Sequence, residues 1–171
     1  MDAHDIYFAG GCFWGPEGYL RKLPGVLDTE VGYANSAIPF PPYEQVCSDQ
    51  TNAAEAVRVR YDAAKLPLAT LVRAYLRTVD PTSINHQGND VGSQYRTGIY
   101  WADSADEAAV RQELEQLQAQ LTMPVAIEAR PIESFYEAEE PHQDYLEKHP
   151  RGYCHVDLAD ADAFIAENGL A

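Results

Sequence analysis

The chain has 171 residues, about the length of one domain, and 46% of them are hydrophobic, which indicates a folded protein with a sizeable core. Asp and Glu number 27 against 12 for Lys and Arg, so the formal net charge is −15. Because this charge repels nucleic acid and anionic membranes, neither is expected as a partner. The N-terminus carries no signal-peptide pattern, and no apolar run approaches the ~18 residues of a membrane span. We therefore expect a cytoplasmic protein.

The first predicted elements follow one another closely. The run "DIYFA" (5–9) predicts a strand, Gly10 and Gly11 a turn, and "PEGYLRKL" (16–23) a helix that opens near Cys12. A second strand is predicted at 26–34 and a third, with strict alternation, at 55–62. The segment 34–53 between them is rich in Pro, Asn and Ser and predicts a long loop.

The second half of the chain also predicts helices, strands and a long loop in succession. A helix is predicted at 68–79, a second polar loop at 80–96, a strand at 97–102, a capped helix at 104–121 and a strand at 125–130. A short helix in 139–149 precedes the tail. The acidic runs 102–116 and 159–167 are typical of solvated helix faces.

The order β-α-β-β-α-β-α-β predicts an α/β (α+β) fold. We expect a single domain, 1–171, with a mixed sheet, packed helices and a ferredoxin-like core. Its two long loops are expected to be functional and its C-terminal tail rich in coil.

Three cysteines, Cys12, Cys47 and Cys154, are too few and too widely spaced for a disulfide scaffold, which favours catalytic or redox use of one or two thiols. Cys12 lies at a predicted strand–helix junction. In a first helical turn, free N–H groups and the helix dipole would lower its pKa and favour the thiolate. The alternative is a small buried hydrophobe. Phe13 and Trp14 would flank the thiol as an apolar pocket wall, or else serve only as core packing.

Glu55 is the most informative acid, because it shares strand parity with Val57, Val59 and Tyr61. It would therefore begin the apolar face of its strand. A carboxyl group desolvated there has a raised pKa and can act as a proton donor. The alternative is a glutamate at a frayed strand end, exposed to solvent.

Six segments together resemble one family: "GGCFWG", "GYA", "YEQVC", "AEAVRVRYD", "DPTSINHQGNDVGSQYR" and "GYC". In this order and spacing they are similar to the A-class peptide-methionine sulfoxide reductases, from Ile6 to Cys154. The resemblance implies these roles: Cys12 as nucleophile, Phe13 and Trp14 as the methyl pocket, Glu55 as acid, Tyr43 and Tyr95 as hydroxyls for the sulfoxide oxygen, Asp90 as a polar support and Cys154 as resolving thiol.

The family's chemistry is thiol-dependent reduction of the S epimer of methionine sulfoxide, free or in oxidised proteins. The resemblance implies a sulfenic acid on Cys12, a disulfide with Cys154 and recycling by an external dithiol such as thioredoxin. It implies neither metal nor cofactor. We expect a monomer at this size.

The sequence departs from the family pattern at several places. Asn52-Ala53-Ala54 replaces the usual Gly-His before the acid, the paired glycines after "GYA" are missing, and Pro141 replaces an aromatic residue. The tail has no further recycling cysteine, which favours resolution through Cys154 alone. Cys47 is interpreted as a spare thiol.

Three alternatives remain open at this stage. Cys12 could serve a Cys–His hydrolase or transferase, with His86 or His142 as base. The aromatic residues could belong to a non-catalytic module that recognises oxidised methionine. A metal site is the third possibility, with the candidate ligands His142, His149, His155 and Cys154, although their spacing matches no tight zinc pattern.

Overall fold

A computed structural model describes residues 1–48 and 51–170. Its strands are β1 (Ala3–Ala9), β2 (Val26–Ala34), β3 (Ala54–Asp62), β4 (His86–Gln87), β5 (Asp90–Val91), β6 (Gly98–Trp101), β7 (Glu128–Pro131) and β8 (Phe135–Glu137). Its α-helices are α1 (Trp14–Leu20), α2 (Tyr43–Cys47), α3 (Leu68–Leu76), α4 (Glu107–Gln120), α5 (Tyr145–Lys148) and α6 (Asp160–Glu167). Short 3₁₀ turns cover Ser93–Tyr95, Ser104–Asp106 and Glu140–His142.

Six of the strands form one sheet in the order β7-β6-β1-β3-β2-β8. All neighbours are antiparallel except β6 and β7, which are parallel. The four central strands, with α1 after β1 and α3 after β3, make the β-α-β-β-α-β core that the sequence predicts. The predicted class, a mixed α/β sheet with packed helices, is confirmed.

Strand β3 shows why the sheet has two different faces. Val57, Val59 and Tyr61 alternate onto the face that packs against the helices, and each is at most 1% exposed. Arg58 points to the other face, where its guanidinium lies 2.9 Å from the Asp28 carboxylate and 3.5 Å from that of Asp5. The strict alternation in the sequence therefore separates an apolar core from an ion-paired surface.

The structure adds detail where the sequence predicted only loops. The one-turn helix α2 lies inside the first loop, and the hairpin of β4 and β5 lies inside the second. Edge strand β8 was missed, because three residues are too few for an alternation pattern to be recognised. Residues 49–50 of the first predicted loop, and residue 171, lie outside the described residues.

The C-terminal segment is coil and turn from 149 to 159 and ends in α6. The acidic run 159–167 is thus a helix face, as predicted, with Ala161 and Phe164 buried against the core. Among the residues described, no helix combines the length and apolar character needed to cross a bilayer.

Candidate active site

Cys12 lies in a tight turn between β1 and α1. Gly11 has φ +72, a conformation that favours glycine, and a Cβ there would lie 2.6 Å from Cε1 of His155. The Gly11 N–H donates to the Tyr95 carbonyl at 3.1 Å, and the Cys12 N–H donates to Oδ2 of Asp90 at 3.0 Å. The nucleophile candidate is therefore fixed by residues from the second polar loop.

Cys12 is 4% exposed and precedes the first residue of α1, Trp14, by two positions. Burial raises the pKa of Cys12 above its ordinary value, and the negative charge of Glu55 raises it further. The expected lowering of this pKa is therefore wrong for the resting protein, although a backbone hydrogen bond from Trp14 at the helix start still favours the thiolate. A helix of seven residues that begins after the cysteine cannot offset the desolvation of the thiolate.

Glu55 is fully buried at the start of β3. Its Oε1 accepts the Phe13 N–H at 3.2 Å, while its Oε2 makes no hydrogen bond to any described residue. Burial raises the pKa of Glu55 to about 8, although the Phe13 N–H and the Cys12 thiol partly stabilise the charged form. The expected burial is confirmed, and the solvent-exposed alternative is wrong. At neutral pH the carboxyl group is mostly protonated.

Phe13 and Trp14 diverge, as expected for adjacent residues at a helix start. Phe13 is 1% exposed and packs on Tyr33, with ring centroids 5.9 Å apart, so it also belongs to the core. Trp14 stacks on Tyr145, with ring centroids 3.7 Å apart and an interplanar angle of 13°. The ring of His142 lies 5.6 Å from Phe13 and 5.8 Å from Trp14. The aromatic wall thus also includes the rings of His142 and Tyr145, from the segment around α5.

His142 and Tyr145 were not recognised from sequence as parts of this wall. His142 entered only as a possible base or metal ligand. Both belong to "PHQDY", a segment far from Cys12 along the chain, and its aromatic side chains were the only available signal. The contacts depend on tertiary packing that no local pattern encodes.

Tyr43 is the first residue of α2 and is partly buried. Its N–H donates to Oε2 of Glu139 at 3.2 Å, and its ring lies 4.5 Å from that of His142. Oε1 of Glu139 accepts the Tyr33 hydroxyl at 2.9 Å. Glu139, which the sequence did not single out, therefore holds two tyrosines of the pocket at once.

Tyr95 ends the 3₁₀ turn Ser93–Tyr95 and packs at the edge of the core. Burial raises the pKa of both Tyr43 and Tyr95, and the charge of Glu55 raises each further. Both phenols therefore keep their protons and can donate hydrogen bonds.

Asp90 connects three parts of the site. Its Oδ2 accepts the Cys12 N–H, and its Oδ1 accepts the Tyr153 hydroxyl at 2.8 Å. Its carboxylate therefore holds the Cys12 turn against the segment that carries Cys154. The thiol of Cys154 is partly buried and donates to the Val156 carbonyl at 3.1 Å.

The three cysteines are free thiols in this state. The Cys154 segment is linked to the Cys12 turn through Asp90, which accepts both the Cys12 N–H and the hydroxyl of Tyr153, the residue before Cys154. Cys47 is exposed at the end of α2, and its thiol interacts with the Tyr43 hydroxyl. The structure thus brings together all eight residues that the family resemblance singles out, and it leaves Cys47 at the margin.

The structure gives little support to the Cys–His hydrolase or transferase and to the metal site. His86 is exposed and interacts with the Ser83 hydroxyl at 3.3 Å, and His142 packs among aromatic rings. Within residues 1–48 and 51–170, no group of three or more His, Cys, Asp or Glu side chains is arranged to hold a metal ion.

A buried acid, a neighbouring thiol and an aromatic wall are features of a thiol-dependent reductase site. The peptide methionine sulfoxide reductase family model matches residues 4–169, and the chain belongs to this family. It is 52% identical over 152 residues to peptide methionine sulfoxide reductase MsrA of Mycoplasma genitalium, covering 89% of this chain and 97% of the relative. It is 51% identical over 151 residues to the MsrA of Lachnoclostridium phytofermentans, covering 88% and 91%.

Solved structures agree with this membership. Mxr1 from Saccharomyces cerevisiae in reduced form superposes with a TM-score of 0.84 at 38% identity, covering 89% of this chain and 88% of that one. Methionine sulfoxide reductase A of Corynebacterium diphtheriae gives 0.80 at 36% identity, covering 89% and 77%. The expected enzyme class, the oxidoreductase peptide-methionine (S)-S-oxide reductase, is confirmed.

Proposed function

We propose that this enzyme reduces the S epimer of methionine sulfoxide, free or in oxidised proteins, through a sulfenic acid on Cys12. One observation carries the proposal. Glu55 is fully buried, is mostly protonated at neutral pH, and leaves Oε2 without a partner among the described residues, next to the Cys12 turn. A buried polar atom without a partner is unfavourable unless a ligand completes it, and a sulfoxide oxygen would do so.

Substrate binding would use the two kinds of side chain around the thiol. The S-methyl group fits against Phe13 and Trp14 by burial and dispersion. The sulfoxide oxygen would accept hydrogen bonds from Glu55 and from the hydroxyls of Tyr43 and Tyr95. Because sulfoxide sulfur is chiral, fixed methyl and oxygen positions admit one epimer to attack by Cys12.

The chemical step transfers oxygen from methionine sulfoxide to Cys12. The Cys12 sulfur attacks the sulfoxide sulfur while Glu55 gives its proton to the oxygen, which stabilises the charge that develops there. The S–O bond of the sulfoxide breaks as the oxygen becomes bonded to the Cys12 sulfur, and the transient S–S bond breaks with its electron pair on the departing methionine. The proton of the Cys12 thiol replaces the one that Glu55 gave, so no net proton is consumed. Methionine departs and Cys12 remains as the sulfenic acid.

Regeneration would use Cys154 and then an external dithiol. The Cys154 thiol condenses with the sulfenic acid to a disulfide and water, and a dithiol reopens the disulfide by exchange. Thioredoxin is the proposed reductant. In its support, a solved structure of yeast Mxr1 in complex with Trx2 superposes with a TM-score of 0.61 at 28% identity, covering 84% of this chain and 85% of that one. No prosthetic group takes part in this scheme. The cytoplasmic location, the monomeric state and the single domain 1–171 stay predictions.

A single turnover without reductant tests the proposal. Reduced enzyme is mixed with excess racemic methionine sulfoxide, and methionine, the remaining epimers and free thiols are counted. We expect one methionine per enzyme from the S epimer and a fall from three thiols to one. Binding of sulfoxide with no methionine formed would instead support the non-catalytic module.

A further inference from the structure

His155 directly follows Cys154, and its ring packs closely against the turn that carries Cys12. A Cβ on Gly11 would lie 2.6 Å from Cε1 of this ring, and a Cβ on Gly15 would lie 3.3 Å from the same atom. These two glycines flank Cys12 in the sequence. The imidazole therefore packs against the backbone on both sides of the nucleophile, where only glycine leaves room for it.

The ring is buried without the partners that a buried imidazole normally has. Its side chain is 5% exposed, and its Nδ1 lies 3.5 Å from Oδ2 of Asp90, the oxygen that accepts the Cys12 N–H. Neither ring nitrogen makes a hydrogen bond with normal geometry to a described residue. An apolar ring would fill the same space without a desolvation cost, so packing alone does not explain a histidine here.

The protonation state of His155 suits a proton acceptor. Burial lowers its pKa from the ordinary value, while the Asp90 carboxylate and the Gly10 carbonyl oppose this shift. The ring is therefore neutral at neutral pH. The titratable group that faces the ring is Asp90, which also accepts the Tyr153 hydroxyl; Cys154 precedes His155 in the chain, and Cys12 lies in the turn on which the ring packs. The neutral imidazole thus adjoins the Cys12 turn and directly follows Cys154 in the chain, while the Cys154 thiol donates to the Val156 carbonyl in the resting protein.

We propose that His155 is the proton-transfer group of the step in which Cys154 resolves oxidised Cys12, an inference that rests on the function proposed above. The Cys154 proton passes to the imidazole as its sulfur attacks the Cys12 sulfur. The S–S bond forms while the S–O bond breaks, and the imidazolium returns the proton to the departing hydroxide as water. The Cys12 sulfur is reduced, the Cys154 sulfur is oxidised, and no other reactant is required.

The test separates the two chemical steps in a single turnover. Methionine release reports oxygen transfer to Cys12, and loss of the second thiol reports resolution. Both rates are measured from pH 5 to 9 for the natural enzyme, His155→Gln, His155→Phe and the control His4→Gln on β1. His155→Phe places an aromatic ring in the same space but has no titrating nitrogen. Circular dichroism shows whether each variant is folded.

We expect both His155 variants to release methionine at the natural rate but to lose the second thiol roughly 100-fold more slowly, the usual scale of acid–base assistance. In the natural enzyme, resolution should rise with pH at the histidine titration and then level off. In the variants it should instead rise about tenfold per pH unit, following ionisation of the Cys154 thiol alone.

Either of two results would overturn the proposal. One is a folded His155 variant that loses its second thiol at the natural rate, or more slowly but with the natural pH profile. Either outcome would mean that His155 contributes only packing. The other, independent of any variant, is a natural enzyme whose resolution rate shows no inflection between pH 5 and 8. If the natural enzyme releases no methionine, the proposed function fails instead, and this result is recognisable because it precedes resolution.

Discussion

The backbone N–H of Phe13 donates to Oε1 of Glu55 at 3.2 Å, so the residue after the nucleophile is joined directly to the buried acid. This bond crosses from the start of α1 to the start of β3, and the central position of β3 in the sheet makes its register rigid. The acid and the thiol therefore keep a fixed relation to one another. The second oxygen of Glu55 has no hydrogen-bond partner in the part of the chain that the structure describes, so it is available to a ligand.

Replacing Glu55 by Gln should slow methionine formation by about 10²–10⁴-fold, the usual contribution of a general acid. The amide keeps an oxygen for the Phe13 N–H but provides no transferable proton. Because burial raises the pKa of Glu55 to about 8, the active protonated form exists below that pH and is lost above it. The natural rate should fall through about pH 8 and approach that of the variant, which should show no such inflection.

Single-turnover rates of methionine formation from pH 5.5 to 9.5 measure this effect. Glu137→Gln, at an exposed position of edge strand β8, is the matched control and should keep the natural profile. A Glu55→Gln enzyme with the natural rate and profile would remove Glu55 from the chemistry.

The same substitution should stabilise the fold at higher pH. The ordinary pKa of a glutamate is 4.5, whereas burial raises that of Glu55 to about 8 in the folded state. The unfolded chain therefore releases this proton first, so the group lowers folding stability progressively as the pH rises from 4.5 to 8. Each pKa unit corresponds to about 1.4 kcal/mol, so above pH 8 the free energy of unfolding of the variant should exceed that of the natural protein by a few kcal/mol.

Urea unfolding of the natural protein and of Glu55→Gln at pH 5 and pH 8.5 measures the difference. The variant should gain stability relative to the natural protein at the higher pH and little at the lower. Equal stabilities at both values would mean that the Glu55 carboxyl is not held protonated by burial.

Cys154→Ser should reduce one equivalent of sulfoxide at the natural rate and then stop when thioredoxin is the reductant. Without the resolving thiol, no disulfide is formed for thioredoxin to open. Cys47→Ser is the control, because its exposed thiol lies at the margin of the site, and it should turn over normally. Sustained thioredoxin-dependent turnover by Cys154→Ser would assign resolution to another thiol or to direct reduction of the sulfenic acid.

Glu139→Ala should lower kcat/KM by roughly tenfold, about 1.4 kcal/mol of transition-state stabilisation. Its carboxylate holds the Tyr33 hydroxyl and the Tyr43 N–H, so its loss frees α2 to shift and with it the Tyr43 hydroxyl. The neighbouring Glu140→Ala, which removes an exposed pair with Lys148, is the control. Kinetics equal to those of the control would show that Glu139 has no influence on the oxygen site.

The main elements could be predicted because their patterns are local. Alternation in β3 placed Glu55 on the buried face, and the glycine pair marked the Cys12 turn. The pKa of Cys12 could not be predicted correctly, because the desolvation that raises it comes from the whole fold. His142, Tyr145 and Glu139 reach the pocket from a distant segment, and no periodicity of their own sequence indicates which surface they cover.

The most direct test of the account is to identify the oxidised atom. Cys154→Ser enzyme, which cannot resolve its intermediate, is given one equivalent of S-methionine sulfoxide in the presence of a sulfenic-acid trapping reagent, and its peptides are examined by mass spectrometry. The account predicts one methionine and one trapped adduct, on Cys12. Methionine formed with the adduct on Cys47, or with none on Cys12, would contradict the assignment of Cys12 as the nucleophile that takes the oxygen.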